Sequence, residues 1–221
     1  MITLTIEPEF QQFPDLKLGL LQGNISNTFL DSLLWQEINQ KAEAIRKAQQ
    51  FDTIKDIPVI QATRSAYRKL GKDPNRYRPS AEALMRRLVK GNEIYQINTM
   101  VDIINFLSLS TGYSIGGFDV DQIQGDLTLG IGQPDEPYEA IGRGQLNIES
   151  LPVFRDHLGG IGTPTSDVVR TSISENTKVV LLVFNGYHGG EDLKEVLGMA
   201  MDLMQRFVAG RNMVSNIYSP M

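Results

Sequence analysis

Three polar residues recur at helical spacing in a stretch that is otherwise apolar: Asn98, Asp102 and Asn105. At about 100° per residue they fall on one narrow stripe of a helix spanning about residues 98–110. The other directions are apolar, with Ile97, Met100, Val101, Ile103, Ile104, Phe106, Leu107 and Leu109. A helix that is apolar almost all round lies in the middle of a domain. Because buried polar side chains must be hydrogen-bonded, the sequence predicts a specific role for the stripe.

Residues 156–172, DHLGGIGTPTSDVVRTS, form a second stretch that could do chemistry. Its glycines permit positive φ and a close approach of a ligand to the backbone. The glycines are Gly159, Gly160 and Gly162, and the donors and acceptors beside them include Thr163, Thr165, Ser166, Asp167 and Arg170. The spacing matches neither a Walker loop nor a dinucleotide fingerprint. It favours a pocket for a small polar ligand, or else a turn in which Asp167 pairs with Arg170.

Common catalytic groups are scarce in this chain. It has no cysteine and only two histidines, His157 and His188. This composition excludes a thiolate nucleophile and argues strongly against a multi-histidine metal site. No G-x-S-x-G elbow is present, so hydrolysis by a serine and histidine pair is not expected. Each histidine fits a structural or solvated role better than that of a general base, and we expect neither metal nor cofactor.

The charge is unevenly distributed. The net charge is -5 at pH 7 and the pI is 5.1, which argues against a general nucleic-acid binder. Residues 64–90, however, hold nine basic side chains and two acidic ones. This cluster predicts a local surface for a polyanion, and the alternative is an ordinary solvated helix surface.

The elements that must position these residues suggest an α+β fold. Residues 1–57 predict an N-terminal lobe of strand, strand and helix, with strands at 2–6 and 16–23 and a helix from about 28 to 50 capped by Asn27. Further helices are expected at 58–70, at 81–90 after the cap Ser80, at 98–110 and at 192–208. The segment between the last two helices reads as short strands, including the apolar run 177–184.

No pattern of a membrane or secreted protein is present in the sequence. The N-terminal residues lack a basic region followed by a long apolar run. No window approaches about 18 uninterrupted apolar residues. Together with the absence of cysteine, this favours a cytoplasmic protein that does not bind a membrane.

Three stretches together resemble the B3/B4 domain of the phenylalanyl-tRNA synthetase β subunit, and more closely the freestanding B3/4-domain proteins. They are RYRPSAEALMRRLVKG, YQINTMVDIINFLSLSTGYSIGGFD and LGGIGTPTSDVVRTSI, followed by KVVLLVF. The most specific part is the IN-x-x-VD-x-x-N pattern of Ile97, Asn98, Val101, Asp102 and Asn105. The resemblance implies a B3/4-like domain at 58–212 with a mixed sheet and packed helices, beside the additional lobe.

In bacterial synthetases this domain holds an editing site, which hydrolyses the ester of tyrosine wrongly attached to the phenylalanine tRNA. The resemblance implies that the editing asparagine corresponds to Asn105 and that the glycine pair corresponds to Gly159 and Gly160. Three other positions depart from the family pattern, since its histidine, threonine and glutamate are Gly116, Ile104 and Ile161 here. We therefore expect another aminoacyl group, a different set of water-positioning groups, or a loss of catalysis.

Two hypotheses follow for the function. In the first, the protein binds aminoacyl-tRNA and hydrolyses misacylated tRNA, with water positioned by Asn105, Thr163 and Asp167. Substrate would contact Asn98, Asp102, Gly116, Gly159, Gly160, Gly162, Thr165, Ser166 and Arg170, and RNA phosphates would contact Arg76, Arg78, Arg86 and Arg87. In the second, the same pocket binds a free amino acid or similar metabolite without catalysis. A purely structural or protein-interaction role for the two lobes ranks third.

Overall fold

The computed structural model describes residues 1–220. The α-helices are α1 (Ser32–Ala48), α2 (Pro58–Lys69), α3 (Ser80–Val89), α4 (Thr99–Thr111) and α5 (Leu193–Val208). The strands are β1 (Leu4–Ile6), β2 (Lys17–Asn24), β3 (Ser114–Asp119), β4 (Leu127–Ile131), β5 (Glu139–Ala140), β6 (Gly144–Gln145), β7 (Pro152–Asp156), β8 (Gly159–Gly162), β9 (Val179–Gly186) and β10 (Arg211–Tyr218). None of the helices within residues 1–220 has the length and apolar character needed to cross a bilayer.

Two four-stranded sheets carry the fold. One has the order β1-β4-β7-β8 and the other the order β10-β2-β9-β3, while β5 and β6 form a separate hairpin. The pair β1 and β4 is parallel, and the other strand pairs in these two sheets are antiparallel. The arrangement confirms the predicted α+β class with a mixed sheet.

The second sheet separates two hydrophobic cores. Along β9, Leu181 and Val183 face the first sheet, whereas Leu182 and Phe184 face the helices α4 and α5. Both faces of the strand are therefore covered, which explains why its sequence is a continuous apolar run rather than an alternating one. Helices α4 and α5 lie on one side of this sheet and the first sheet on the other.

Helix α4 lies centrally in the helical layer, as its apolar sequence predicts. Asn98 precedes it as the N-cap, with its side-chain oxygen accepting from Val101 N, and Gly112 ends it with a φ of 80°. Most of its side chains are buried. It packs against α1, α3, α5 and β3.

Two predicted helix caps are wrong. Helix α1 begins only at Ser32, and its cap is Asp31, whose side chain accepts from Leu33 N and Leu34 N. Asn27 instead connects the loop before α1 to the start of α4, because its amide donates to Asn98 Oδ1 at 3.0 Å. Ser80 is the first residue of α3 and makes no cap bond with its side chain.

The N-terminal segment is paired with the rest of the chain. Strand β1 pairs with β4, and β2 lies between β10 and β9. Strands from both segments share each of the two sheets. The division into domains at residues 1–57 and 58–212 therefore remains a prediction from the sequence.

Candidate functional site

A cavity of about 520 Å³ lies between α3, α4, strand β3 and the turn at residues 165–167. Its walls are largely aliphatic, with Ala83, Leu84, Ile97, Val101, Ile104, Ile115, Ile141 and Ile173. Ile97 and Ile141 are nearly half exposed and mark its opening. The polar groups that line it are Ser80, Asn105, Ser108, Arg143, Thr165, Ser166, Asp167 and Ser172.

The three residues of the predicted polar stripe of α4 have two different roles. Asn98 is buried, caps the helix and donates to Ile173 O at 3.2 Å. Asp102 is fully buried and accepts from Trp35 Nε1 at 2.7 Å. These two side chains hold α4 in place and do not line the cavity, which corrects their predicted contact with substrate.

Asn105 is the residue of the stripe that lines the cavity. It is partly exposed, and its amide forms no side-chain hydrogen bond within residues 1–220. An amide that supplies both donors and an acceptor, with none of them used by the fold, is available to a ligand. The structure thus places the predicted asparagine where a ligand can reach it.

The turn at residues 163–167 forms a rigid wall. Thr163 Oγ1 accepts from Thr165 N at 3.2 Å and from Ser166 N at 3.0 Å. The hydroxyls of two buried tyrosines fix the turn from behind, with Tyr67 bonded to Thr165 Oγ1 at 2.8 Å and Tyr138 donating to Ser166 O at 2.6 Å. Thr163 is buried and shapes the turn, so it positions the wall rather than contacting a ligand.

Asp167 is the ionisable acid of the cavity. Burial raises the pKa of its carboxyl to about 7, although the backbone amide of Gly117 opposes the rise. That amide donates to Oδ2 at 3.0 Å. A carboxyl that titrates near neutrality can take up or release a proton under ordinary conditions.

Two predicted ligand-binding glycines instead make room for protein groups. A Cβ at Gly116 would lie 2.8 Å from Phe118 Cζ and 3.3 Å from Asp167 Oδ1. A Cβ at Gly162 would lie 2.5 Å from Phe118 Cζ and 3.0 Å from Asp167 Oδ1. Both positions therefore allow the phenylalanine ring and the carboxylate to pack closely.

Gly159, Gly160 and Arg170 lie at a different place. They line a separate cleft of about 290 Å³. Arg170 pairs with Asp156, its two nitrogens lying 2.9 and 2.8 Å from the carboxylate oxygens, so the expected Asp167–Arg170 pair is not formed. Burial tends to raise the pKa of Asp156, but Arg170 and backbone amides outweigh it and lower the pKa. The predicted glycine loop and the turn at residues 163–167 therefore do not line the same pocket.

The predicted phosphate-binding arginines differ in their freedom. Arg76 and Arg78 are exposed. Arg86 pairs with the fully buried Glu82 at 2.8 Å, and the Arg87 guanidinium lies 3.9 Å from the ring centroid of Tyr95. The Arg76 guanidinium also lies 5.5 Å from the ring centroid of Tyr77, so three of the four side chains already have a partner in the protein.

Arg143 is a cavity residue that the sequence analysis missed. It is exposed and lies in the turn between β5 and β6, flanked by Gly142 and Gly144, both at a φ of 68°. The Gly-Arg-Gly sequence indicates a tight hairpin with a projecting cation. It does not reveal that the hairpin lines the same cavity as α4. Neither histidine lines the cavity.

Comparisons with known proteins bear on the origin of this site. A family model for the B3/4 domain matches residues 62–212. Among solved structures, the chain is similar to an N-terminal fragment of the phenylalanyl-tRNA synthetase β-subunit from Pyrococcus horikoshii, with a TM-score of 0.50 and 12% identity. The match covers 98% of this chain and 54% of that fragment, so this chain spans about half its length. A comparison with curated proteins gives no match.

Proposed function

The chain belongs to the B3/4 domain family, and from this premise we propose that it binds aminoacyl-tRNA and hydrolyses the ester of a misacylated tRNA in trans. The observation that carries the proposal is the cavity shared by two groups suited to ester hydrolysis. These are the unbonded amide of Asn105 and the Asp167 carboxyl, whose pKa lies near 7. The proposal places the protein in the cytoplasm, with its tRNA partner.

The chemistry assigns a distinct role to each group. Water attacks the ester carbonyl carbon, a tetrahedral oxyanion forms, and the 3′ oxygen of the tRNA leaves with a proton. The Asn105 amide donates to the oxyanion. Ionised Asp167 takes the proton from the attacking water. The turn hydroxyls and the position of α4 hold these two groups in place.

The walls favour an apolar aminoacyl side chain. Ile104 lines the cavity where editing synthetases of the resembled family have a threonine. Ile161, at the position of their glutamate, is fully buried in the core between the sheets and does not line the cavity. A tyrosine hydroxyl in the cavity would thus meet the aliphatic Ile104 and would find no carboxylate from position 161, which disfavours tyrosine as the substrate side chain.

The remainder of the tRNA would lie on the basic surface beside the cavity. Arg76 and Arg78 are exposed and can meet phosphates directly. Arg87 can also contact a phosphate while its guanidinium lies against the Tyr95 ring. Arg86 keeps its buried partner Glu82 and contributes mainly to the local field.

The second candidate is binding of a free amino acid without hydrolysis. It is favoured by the three departures at Gly116, Ile104 and Ile161. Arg143 at the cavity could pair with a free carboxylate, and ionised Asp167 could pair with an α-amino group. An amino acid esterified to tRNA has the amine but lacks the free carboxylate, so only a free amino acid could make both pairs.

A panel of misacylated tRNAs tests the proposal. We expect faster deacylation of at least one member that carries an aliphatic amino acid. Asn105→Ala should lower that rate by about 100-fold or more, the usual effect of losing an oxyanion donor. Ser110→Ala, on the same helix but outside the cavity, is the matched control. Binding of a free amino acid, with no deacylation of any member, would instead favour the second candidate.

A further inference from the structure

A second cleft, of about 550 Å³, lies between α1, α3 and residues 93–96. Its apolar members, such as Ile38, Ala42 and Leu88, are buried and form its floor. The more exposed side chains that line it are polar or aromatic: Trp35, Asn39, Arg46, Glu93, Tyr95 and Gln96. The cleft is therefore unlike a groove for an apolar helix, which needs an exposed apolar stripe.

Tyr95 forms a platform at this cleft. Its side chain is 65% exposed, and the Arg87 guanidinium lies 3.9 Å from its ring centroid. A cation on an exposed aromatic ring holds that ring in place while leaving its free surface open. Such rings stack on nucleobases in proteins that bind single-stranded nucleic acid.

Arg46 supplies charge from the opposite wall. It is exposed on α1 and forms no ion pair with another of the residues 1–220 that the structure describes. Helix α1 lies outside residues 62–212, the part matched by the family model. This wall of the cleft is thus a feature of the N-terminal segment.

The cleft and the cavity share one segment of chain. Tyr95 and Gln96 line the cleft, and the next residue, Ile97, lines the cavity. Consecutive Cα atoms are about 3.8 Å apart, and Ile97 is nearly half exposed. A ligand that lies on Tyr95 can therefore continue over Ile97 into the cavity.

We propose that this cleft binds the single-stranded 3′ end of an RNA, with a base stacked on Tyr95 and a phosphate at Arg46. The inference rests on the proposed function, because the aminoacyl group at the end of that strand would enter the cavity. Glu93 opposes binding, since its carboxyl group lines the same cleft.

Trp35 provides a direct measurement. It is the chain's single tryptophan, and it lines the cleft. An RNA hairpin with a short single-stranded 3′ overhang should quench its fluorescence and bind more tightly than the same hairpin with a blunt end. Equal binding of the two hairpins, or no binding of either, would overturn the inference. Binding of an acidic peptide that displaces the overhang hairpin would assign the cleft to a protein partner instead.

Variants test the individual contacts. Tyr95→Ala should weaken overhang binding by about tenfold, and Tyr95→Phe should retain it, because stacking needs only the ring. Arg46→Gln should weaken binding and reduce the salt dependence by about one ion. Lys47→Gln changes the charge equally on a neighbouring residue that pairs with Glu43, so it should bind as wild type. Glu93→Gln should bind more tightly. Wild-type affinity in both Tyr95→Ala and Arg46→Gln would refute the assignment.

A small aminoacyl ester of adenosine separates this inference from the proposed function. It can enter the cavity without occupying the whole cleft. Hydrolysis of this ester together with equal binding of both hairpins would refute RNA binding in the cleft and leave the proposed function unaffected. Binding that depends on the overhang, with no hydrolysis of any ester, would support RNA binding in the cleft and refute the proposed hydrolase activity.

Discussion

At the scale of single residues, Asp167 combines a hydrogen bond from Gly117 N with an environment that favours its neutral form. Burial penalises the carboxylate more than one backbone amide stabilises it. The proton is therefore held more tightly in the folded protein than in the unfolded chain. The pH dependence of folding should reveal this difference.

Asp167→Asn should change stability in a pH-dependent way. The folded pKa of about 7 exceeds the ordinary value of 3.8, so the stabilising contribution of the protonated acid is complete below about pH 4 and is lost as pH rises through 7. The neutral asparagine avoids this loss. The variant should gain up to about 4 kcal/mol over wild type at pH 8 and little at pH 4. Urea unfolding at both pH values measures the difference.

The exposed Asp52→Asn is the control for this measurement. It removes the same charge without altering the cavity, and its unfolding free energy should follow that of wild type at both pH values. An unchanged pH profile in Asp167→Asn would show that the carboxyl is ionised in the folded state near neutrality.

Sequence spacing identifies candidate site residues but not their individual roles. Asn98, Asp102 and Asn105 share one helical stripe, yet the first two are used by the fold and only the third lines the cavity. Periodicity defines a face of a helix, whereas the neighbour across that face decides the role. Arg143 reaches the cavity from a distant hairpin, a placement that no local pattern encodes.

At the scale of secondary-structure elements, a buried ion pair joins α2 to α3. Arg64 donates through Nη1 to both carboxylate oxygens of Glu82, at 3.0 and 2.8 Å. Arg86 donates to the same carboxylate at 2.8 Å. One fully buried acid thus compensates two arginines and anchors the basic surface of α3.

Glu82→Gln should destabilise the protein by about 3–5 kcal/mol, because it leaves the buried Arg64 without a counter-charge. Glu43→Gln breaks the exposed pair with Lys47 and should have no measurable effect. Thermal or urea unfolding of both variants checks the contrast. Equal stability of Glu82→Gln and wild type would mean that Arg64 is satisfied by its other acceptors, Pro74 O and Asn75 Oδ1.

The bond from Trp35 to Asp102 ties α1 to α4. Trp35→Phe removes the indole donor from a fully buried acid and should cost about 1–3 kcal/mol of unfolding free energy. Burial already raises the pKa of Asp102, and this donor opposes the rise, so the variant should raise the pKa further. Leu33→Ala, at an exposed position of the same helix, is the control in urea unfolding. Equal losses in the two variants would assign the effect to α1 itself.

Element positions follow closely from sequence, while their exact starts do not. Helix α4 is found within a residue or two of its prediction because its apolar periodicity is strong. Helix α1 starts four residues later than predicted, since both Asn27 and Asp31 are good caps and only tertiary contacts distinguish them.

At the scale of the whole molecule, the N-terminal segment supplies an inner strand. Leu18 and Leu20 of β2 are fully buried, and β2 separates β9 from β10. No feature of the sequence predicts this pairing, because strand partners far apart in the chain leave no local pattern. The sequence instead suggests a separate lobe, since Pro58 follows the first helix as a natural boundary.

Removal of residues 1–24 should prevent folding, because β9 and β10 would lose the strand between them. Circular dichroism and size-exclusion chromatography should report an unfolded or aggregated chain. Removal of residues 219–221, which follow the last strand, should leave a folded protein. A cooperatively folded fragment of residues 58–212 would contradict this expectation and support the predicted independent domain.

The position of β2 also bears on how the protein is made. Its two partners, β9 and β10, come from the other end of the chain, so the ribosome releases β2 long before either partner exists. At ordinary rates of translation the interval is on the order of tens of seconds. During that time Leu18, Leu20 and Leu21 have no sheet to join, and contacts of such long range also form slowly. We expect nascent chains of this protein to depend on chaperones until translation is complete.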